Sequence, residues 1–166
     1  MTAKIKVADL GTLDGPLLLF GGPYSNAQAV EALAEVAASR GMPGSQMIST
    51  GDVVAYCGEP VASVAAVRAL GCVVVAGNCE KQLASGAEDC GCGFAPGSSC
   101  DLLSGAWYAH AAEVLSAEDK TWMGALPDVA TFRHQGERYG VIHGGVRDIA
   151  RFIWPDSAAE IFEEEW

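Results

Sequence analysis

Three residues that can bind a metal ion follow apolar runs in this sequence. Asp52, Asn78 and His143 each stand next to a glycine at the end of such a run. In an α/β fold, the carboxyl ends of buried strands meet at one crevice. A carboxylate, an amide and an imidazole brought together there suit a hard or borderline metal ion and a phosphate substrate. Taken singly, Asp52 and Asn78 are also typical turn or capping residues, and a lone His143 is typical of a structural imidazole.

The hydrophobic pattern predicts a parallel core that would position these residues. Strands are predicted at Leu17–Phe20, Gln46–Ser49 and Cys72–Ala76, and helices at Ala27–Ser39 and Pro60–Leu70. The third strand is an unbroken apolar run, which is typical of a parallel sheet buried on both faces. The β-α-β-α-β order predicts an α/β fold class with right-handed crossovers.

The second half of the chain has weaker signals. Residues 85–105 lack periodicity, and we predict an irregular loop that crosses the active face. A capping box at residues 116–119 predicts a short helix. Residues 131–134 and 138–142 predict a hairpin, and residues 158–166 predict an acidic helix.

Composition limits the class of protein. Half of the 166 residues are hydrophobic, and no linker divides them, which predicts one globular domain over residues 1–166. The net charge of −11 argues against a nucleic-acid polymer as partner. It does not exclude a small phosphorylated ligand, because a bound metal ion reverses the local field. No apolar stretch has the length of a membrane span and no signal peptide is recognisable, so we expect no membrane partner and a cytoplasmic location.

Four of the six cysteines are candidates for a second kind of metal site. Without a secretory signal, reduced thiols are expected. Cys79, Cys90, Cys92 and Cys100 could form a four-thiolate site, although the C-x-C spacing differs from that of a zinc knuckle. The alternative is a glycine-rich loop with free thiols.

The loop after the first predicted strand is a candidate phosphate-binding segment. It contains Gly22, Tyr24 and Asn26 before the start of a helix, where backbone amides can bind an anion. Asn26 can also serve as the helix cap. Arg147 and Arg151 are further candidate phosphate contacts, and their alternative is a solvated surface role. The segment is not a P-loop or a G-x-G-x-x-G motif.

In order along the chain, these segments resemble the motifs of the calcineurin-like metallophosphoesterases, in particular the small bacterial phosphodiesterases. Residues 51–52, 77–79 and 143–144 are similar to the family's Gly-Asp, Gly-Asn-Cys and His-Gly motifs. The resemblance covers essentially the whole chain. It implies an αββα sandwich of mixed β-sheets flanked by helices, with a dinuclear metal site that activates water for attack on phosphorus.

The resemblance also implies roles for individual residues. Asp52 would bridge two metal ions, and Asn78 and His143 would bind the second ion. Asp52 and Cys79 would be catalytic, because Cys79 stands where many members use a His to protonate the leaving group. The implied cofactor is one or two divalent transition-metal ions, namely Mn, Fe, Ni or Zn.

The sequence departs from the family pattern at both ends. Gly22 stands in place of an Asp ligand and Tyr24 in place of a His, and the final Gly-His-x-His is absent before Trp166. Asp9 and Asp14 precede the first predicted strand, so we do not expect them to replace the missing Asp. We expect a fold that is incomplete at its C-terminus, with an uncovered sheet edge that favours homo-oligomers.

Three functional hypotheses follow. The first is a metal-dependent phosphoester hydrolase, of phosphodiesterase or phosphatase type, with an altered dinuclear site and a small phosphorylated substrate. The second is a noncatalytic protein of the same fold that binds a phosphorylated ligand or partner and has lost its metal ions. The third is the thiolate metal module. Fold alone does not decide between the first two.

Overall fold

The computed structural model describes residues 4–166, which form six strands and six α-helices. The strands are β1 (Val7–Thr12), β2 (Leu18–Phe20), β3 (Met47–Ser49), β4 (Val73–Val74), β5 (Val129–His134) and β6 (Glu137–Val141). The helices are α1 (Ala27–Ser39), α2 (Pro60–Leu70), α3 (Asn78–Ser85), α4 (Ser99–Val114), α5 (Ala117–Ala125) and α6 (Ala159–Glu165). The strands form two three-stranded sheets.

The first sheet is parallel, with strand order β2-β3-β4. This arrangement confirms the predicted β-α-β-α-β core. The third strand is shorter than predicted, because its ladder covers only Val73 and Val74. The amide of Ala76 donates to Pro127 O at 2.8 Å instead of continuing the ladder.

Local signals in the sequence set the ends of the first two helices. The Asn26 side chain accepts a hydrogen bond from Ala29 N at 3.0 Å, so Asn26 caps α1 as predicted. Pro60 occupies the first turn of α2, and Gly71 ends that helix at φ 64°. These ends place the loops that precede both helices at the carboxyl edge of the parallel sheet.

The second sheet is mixed, with strand order β1-β5-β6. β5 and β6 are antiparallel, which confirms the predicted hairpin. β1 was not predicted, and it pairs in parallel with β5. Its residues are mostly exposed, so they carry little hydrophobic periodicity, and its partner lies about 120 positions away in the sequence.

Two hydrophobic cores define the layers. One lies between the sheets and consists of Ile48, Val75, Ala130, Phe132 and Val141. The other packs α2, α3, α4 and α5 against the far face of the parallel sheet, with Val64, Val67, Leu83, Trp107 and Met123 among its buried residues. The predicted sandwich of two sheets with flanking helices is therefore confirmed.

Residues 99–105 correct the prediction of an irregular segment over 85–105. They form the first turns of α4, where the Ser98 hydroxyl accepts from Asp101 N at 3.1 Å and the Asp101 carboxylate accepts from Gly97 N at 2.7 Å. The loop is confined to residues 86–98. The capping box at Ser116 and Asp119 opens α5 as predicted. None of the helices within residues 4–166 is both long and apolar enough to cross a bilayer.

Candidate metal centre

The predicted site residues gather where the strands end. Asp52 follows β3, Asn78 opens α3 just after β4, and His143 follows β6. His143 therefore comes from the second sheet, whereas the other two come from the first. All three line one pocket of about 260 Å³. The three residues therefore converge in the structure, as the sequence predicted.

The three side chains present oxygen and nitrogen atoms to one another. His143 Nε2 lies 3.1 Å from Asn78 Oδ1 and 3.5 Å from Asp52 Oδ2. On the other side of the ring, His143 Nδ1 lies 2.7 Å from Thr50 O. Because a carbonyl can only accept, Nδ1 carries the proton in this pair. Nε2 is thereby aimed at the two oxygens.

Asp52 is held by its backbone and its surroundings. It has φ 50° and follows Gly51 at φ 96°, so the chain turns sharply after β3. Burial raises the pKa of the Asp52 carboxyl, whereas His143 and hydrogen bonding with Cys79 lower it. Cys79 N donates to Asp52 Oδ1 at 3.4 Å. The other oxygen, Oδ2, stays directed at the imidazole.

Glu80 organises the site and was missed as a site residue in the sequence. Its side chain is fully buried and accepts from the backbone amides of Gly77 at 2.8 Å, Asp52 at 2.9 Å and Val54 at 3.3 Å. Burial, and then the nearby Asp52 carboxyl, raise the pKa of Glu80 to about 7. One side chain thus joins the loop after β3 to the start of α3. The signal available in the sequence was a Glu three residues after Gly77, the acidic half of a capping box.

The amide group of Asn78 is oriented by the loop at residues 86–98. Its Nδ2 donates to Cys90 O at 2.8 Å and lies 3.3 Å from Cys92 Sγ. Because the carbonyl of Cys90 takes the amide nitrogen, the amide oxygen must point toward His143. The predicted loop therefore contacts the site through its cysteines.

Cys90 and Cys92 are joined as a disulfide, so the expectation of reduced thiols was wrong for this pair. Gly91 between them has φ 66°, a left-handed conformation that glycine adopts without steric cost. The four-thiolate alternative is also wrong. Cys79 and Cys100 are free thiols, and residues 4–166 hold no group of three or more His, Cys, Asp or Glu side chains arranged for a metal ion.

At positions 22 and 24, where the family pattern has further ligands, the space beside Gly22 is occupied by Asp52 O and the Tyr24 ring. A Cβ atom built on Gly22 would lie 2.6 Å from Asp52 O and 2.8 Å from Tyr24 Cε1. The Tyr24 ring thus lies over Gly22. Gly22 supplies no side chain to the pocket, while Tyr24 lines it.

Other predicted site residues lie in different places. Asn26 uses its side chain oxygen as the α1 cap, and Arg147 is not among the residues that line the pocket. Arg151 lines it instead, with its guanidinium paired to Glu164 and Glu165 of α6. The proposed leaving-group acid, Cys79, is 1% exposed, and burial raises the pKa of its thiol.

Asp9 lies outside the site. Its carboxylate accepts from Gly11 N on β1, in the second sheet, and neither it nor Asp14 lines the pocket. The metal-capable groups of the pocket are therefore one carboxylate, one imidazole and one amide. The remaining lining includes four aromatic side chains, namely Tyr24, Tyr56, Phe94 and Phe152.

Comparison with solved structures identifies the fold. The chain is similar to a metallophosphoesterase from Sphaerobacter thermophilus, with 22% identity, a TM-score of 0.63, and coverage of 90% of this chain and 57% of that protein. A candidate diadenosine tetraphosphatase matches with 18% identity, a TM-score of 0.58, and coverage of 95% and 59%. A hypothetical protein from Pyrococcus horikoshii OT3 matches with 16% identity, a TM-score of 0.66, and coverage of 92% and 64%.

These matches agree in fold and differ in length. The chain spans between 57% and 64% of the solved structures. No family model matches the sequence, and neither does any curated protein. The chain has the metallophosphoesterase fold that its sequence motifs predicted.

Proposed function

We propose that this chain is a metal-dependent phosphoester hydrolase whose site is reduced to one divalent metal ion, bound by Asp52, Asn78 and His143. The observation that carries the proposal is the approach of His143 Nε2 to Asn78 Oδ1 at 3.1 Å and to Asp52 Oδ2 at 3.5 Å. Two atoms that bind one ion at about 2.0–2.2 Å are typically separated by about 3–3.5 Å. The spacing therefore suits ligands of a common ion.

The chemistry of the three groups fits such an ion. With its Nδ1 proton donated to Thr50 O, His143 offers the Nε2 lone pair, which is the form of imidazole that binds metals. A metal ion and a proton on Nε2 would compete for this position, because either one satisfies the oxygens of Asp52 and Asn78. One nitrogen and two oxygen ligands suit Mn, Fe, Ni or Zn.

Different residues of the chain would have different roles in such a site. A divalent ion bound there would polarise a phosphoryl oxygen and lower the pKa of a bound water molecule. Glu80 holds the two loops that carry Asp52 and Asn78, and Cys90 O sets the direction of the amide.

The comparisons and the charge support a small phosphorylated substrate. Two of the similar structures are described as a metallophosphoesterase and a candidate diadenosine tetraphosphatase. The net charge of −11 disfavours a nucleic-acid polymer, so we propose a small molecule.

The test combines metal content with hydrolysis. We expect about one Mn²⁺ per chain in the purified protein after reconstitution, and turnover of bis(p-nitrophenyl) phosphate that depends on it. Asp52→Ala and His143→Ala should lose both. The matched controls are Asp14→Ala and His110→Ala, which change exposed side chains outside the pocket. Turnover that persists in His143→Ala would contradict the proposal.

A second candidate is favoured by one observation. The close contacts of Gly22 with Asp52 O and the Tyr24 ring leave no space for a ligand side chain at position 22. A noncatalytic protein that binds a phosphorylated ligand in the same crevice would account for this loss. It predicts that inorganic phosphate binds in a calorimetric titration while no ester is cleaved with any of the four metals. Turnover well above that of Asp52→Asn would exclude it.

A further inference from the structure

Two tyrosines form an exposed aromatic wall beside the proposed metal ligands. Tyr24 and Tyr56 pack edge to face, with ring centroids 5.1 Å apart, and both line the pocket that contains Asp52, Asn78 and His143. Tyr24 is 40% exposed and Tyr56 is 54% exposed. Rings with this much exposure stabilise a core poorly, because much of their apolar surface remains in water.

The wall is fixed before any ligand arrives. Tyr56 packs against Trp107 of α4 with centroids 5.4 Å apart, and Trp107 is itself buried. The two loops that carry the tyrosines are joined by backbone hydrogen bonds, from Tyr24 N to Asp52 O at 3.2 Å and from Cys57 N to Tyr24 O at 3.1 Å. Rings held in this way lose little conformational freedom when a ligand binds.

Backbone strain is concentrated at the same place. Tyr24 has φ 54° and Tyr56 has φ 41°, in the left-handed region that bulky residues avoid. Asp52, whose carbonyl accepts from Tyr24 N, has φ 50°. Among residues 4–166, only two other non-glycine residues have positive φ, and one of them is Ser25, next to Tyr24. Strained residues that persist in a fold cluster at ligand sites.

Each tyrosine combines an apolar π-face with a hydroxyl group that can donate a hydrogen bond. Such a surface accepts an aromatic ring without repelling the phosphate attached to it.

We infer that Tyr24 and Tyr56 form a stacking subsite for the aromatic group of a phosphorylated small molecule, whose phosphate binds at Asp52, Asn78 and His143. The phosphate end of this inference rests on the proposed function. The ligand class is a phosphoester with an aromatic ring, either the base of a nucleotide or an aryl group. Stacking of one base on an aromatic side chain contributes about 1–3 kcal/mol, which corresponds to roughly 5-fold to 150-fold in affinity.

The experiment is a calorimetric titration of the full chain in Mn²⁺ with three probes. Adenosine 5′-monophosphate and phenyl phosphate carry a ring, and ribose 5-phosphate carries none. We expect both aromatic probes to bind at least about fivefold more tightly than ribose 5-phosphate. A preference for adenosine 5′-monophosphate over phenyl phosphate would identify the base as the natural ring, and the reverse would identify an aryl ester.

Variants assign the preference to the wall. Tyr56→Leu should abolish the preference for a ring, whereas Tyr56→Phe should keep it, because Phe retains the stacking face. The matched control is Tyr139→Leu on β6, which removes an equally exposed tyrosine outside the pocket and should leave the preference intact. Circular dichroism of each variant verifies that it is folded.

Two outcomes separate this inference from the proposed function. Equal affinity for adenosine 5′-monophosphate and ribose 5-phosphate, or no binding of either, would overturn the stacking subsite. A ring preference that survives in a protein that binds no Mn²⁺ would support the subsite and count against the metal site alone.

Discussion

The two halves of the crevice differ in whether they contain candidate metal-binding side chains that neighbouring groups hold in place. In one half, Asp52, Asn78 and His143 are each oriented by a partner, so that their metal-capable atoms meet. In the other half, Gly22 offers no side chain and the Tyr24 ring occupies the adjacent space. A site can therefore lose one half while the backbone network of the other half stays intact.

The largest effect should come from removing the Glu80 side chain, which joins the loop that carries Asp52 to the start of the helix that carries Asn78. Glu80→Ala leaves three buried backbone amides without their acceptor, so we expect a loss of about 3–5 kcal/mol in the free energy of unfolding. Urea denaturation measures it. Glu31→Ala, on the exposed face of α1, is the control. A loss below about 1 kcal/mol would mean that water replaces the carboxylate easily.

Metal binding should stabilise the protein only when Asp52, Asn78 and His143 are all present. At a Mn²⁺ concentration about 100 times the Kd, linkage predicts a gain of about 2.7 kcal/mol in unfolding free energy. His143→Ala should show no such gain, and His110→Ala should show all of it. Thermal and urea unfolding with and without Mn²⁺ provide the measurement, independently of turnover. An equal gain in His143→Ala would place the ion elsewhere.

The half of the crevice around Gly22 should not tolerate even one added methyl group. In Gly22→Ala, the new Cβ would lie 2.6 Å from Asp52 O, so we expect a loss of about 1–3 kcal/mol in unfolding free energy. Gly21→Ala is the matched control, because nothing lies within 4 Å of the Cβ built there. If both substitutions were equally mild, the Tyr24 loop would be loose enough to admit a ligand side chain.

The smallest effect should come from the loop that orients Asn78. Cys92→Ser breaks the disulfide while leaving Cys90 O in the chain, so we expect Mn²⁺ affinity to fall by about tenfold, at the lower end for residues that support a metal ligand. Reduction of the unmodified protein should give the same fall. Cys100→Ser, which changes an exposed free thiol, serves as control. Unchanged affinity after reduction would show that the loop holds its shape without the bond.

The convergence of Asp52 and Asn78 was predictable because both follow strands of one parallel sheet, whereas His143 follows an antiparallel hairpin of the second sheet, whose position beside the first is not fixed by that rule. Hydrophobic runs locate buried strands, and parallel strands bring their carboxyl ends together. The hairpin before His143 was equally visible in the alternation of residues 131–142. These features are local in sequence or follow from general rules of chain topology.

Other features depend on contacts that no local pattern records. β1 is largely exposed and pairs with a strand near the other end of the chain. The capping signal of Ser98 and Asp101 was present but followed a glycine-rich stretch that hid the start of α4. The burial of Glu80 and the position of the Tyr24 ring over Gly22 arise only when distant loops pack.

The backbone hydrogen bonds between the two tyrosine loops have a consequence for how the sequence of this protein can evolve. The loops are fastened by main-chain atoms, so the side chains at positions 24 and 56 contribute little to the fastening. If the proposed subsite exists, substitutions there would alter which molecule is recognised while the scaffold and the proposed metal ligands stay in place. Asn or Gly at either position would even relieve the unfavourable φ. The crevice thus carries an exchangeable surface, on which new ligand preferences can evolve at small cost to folding.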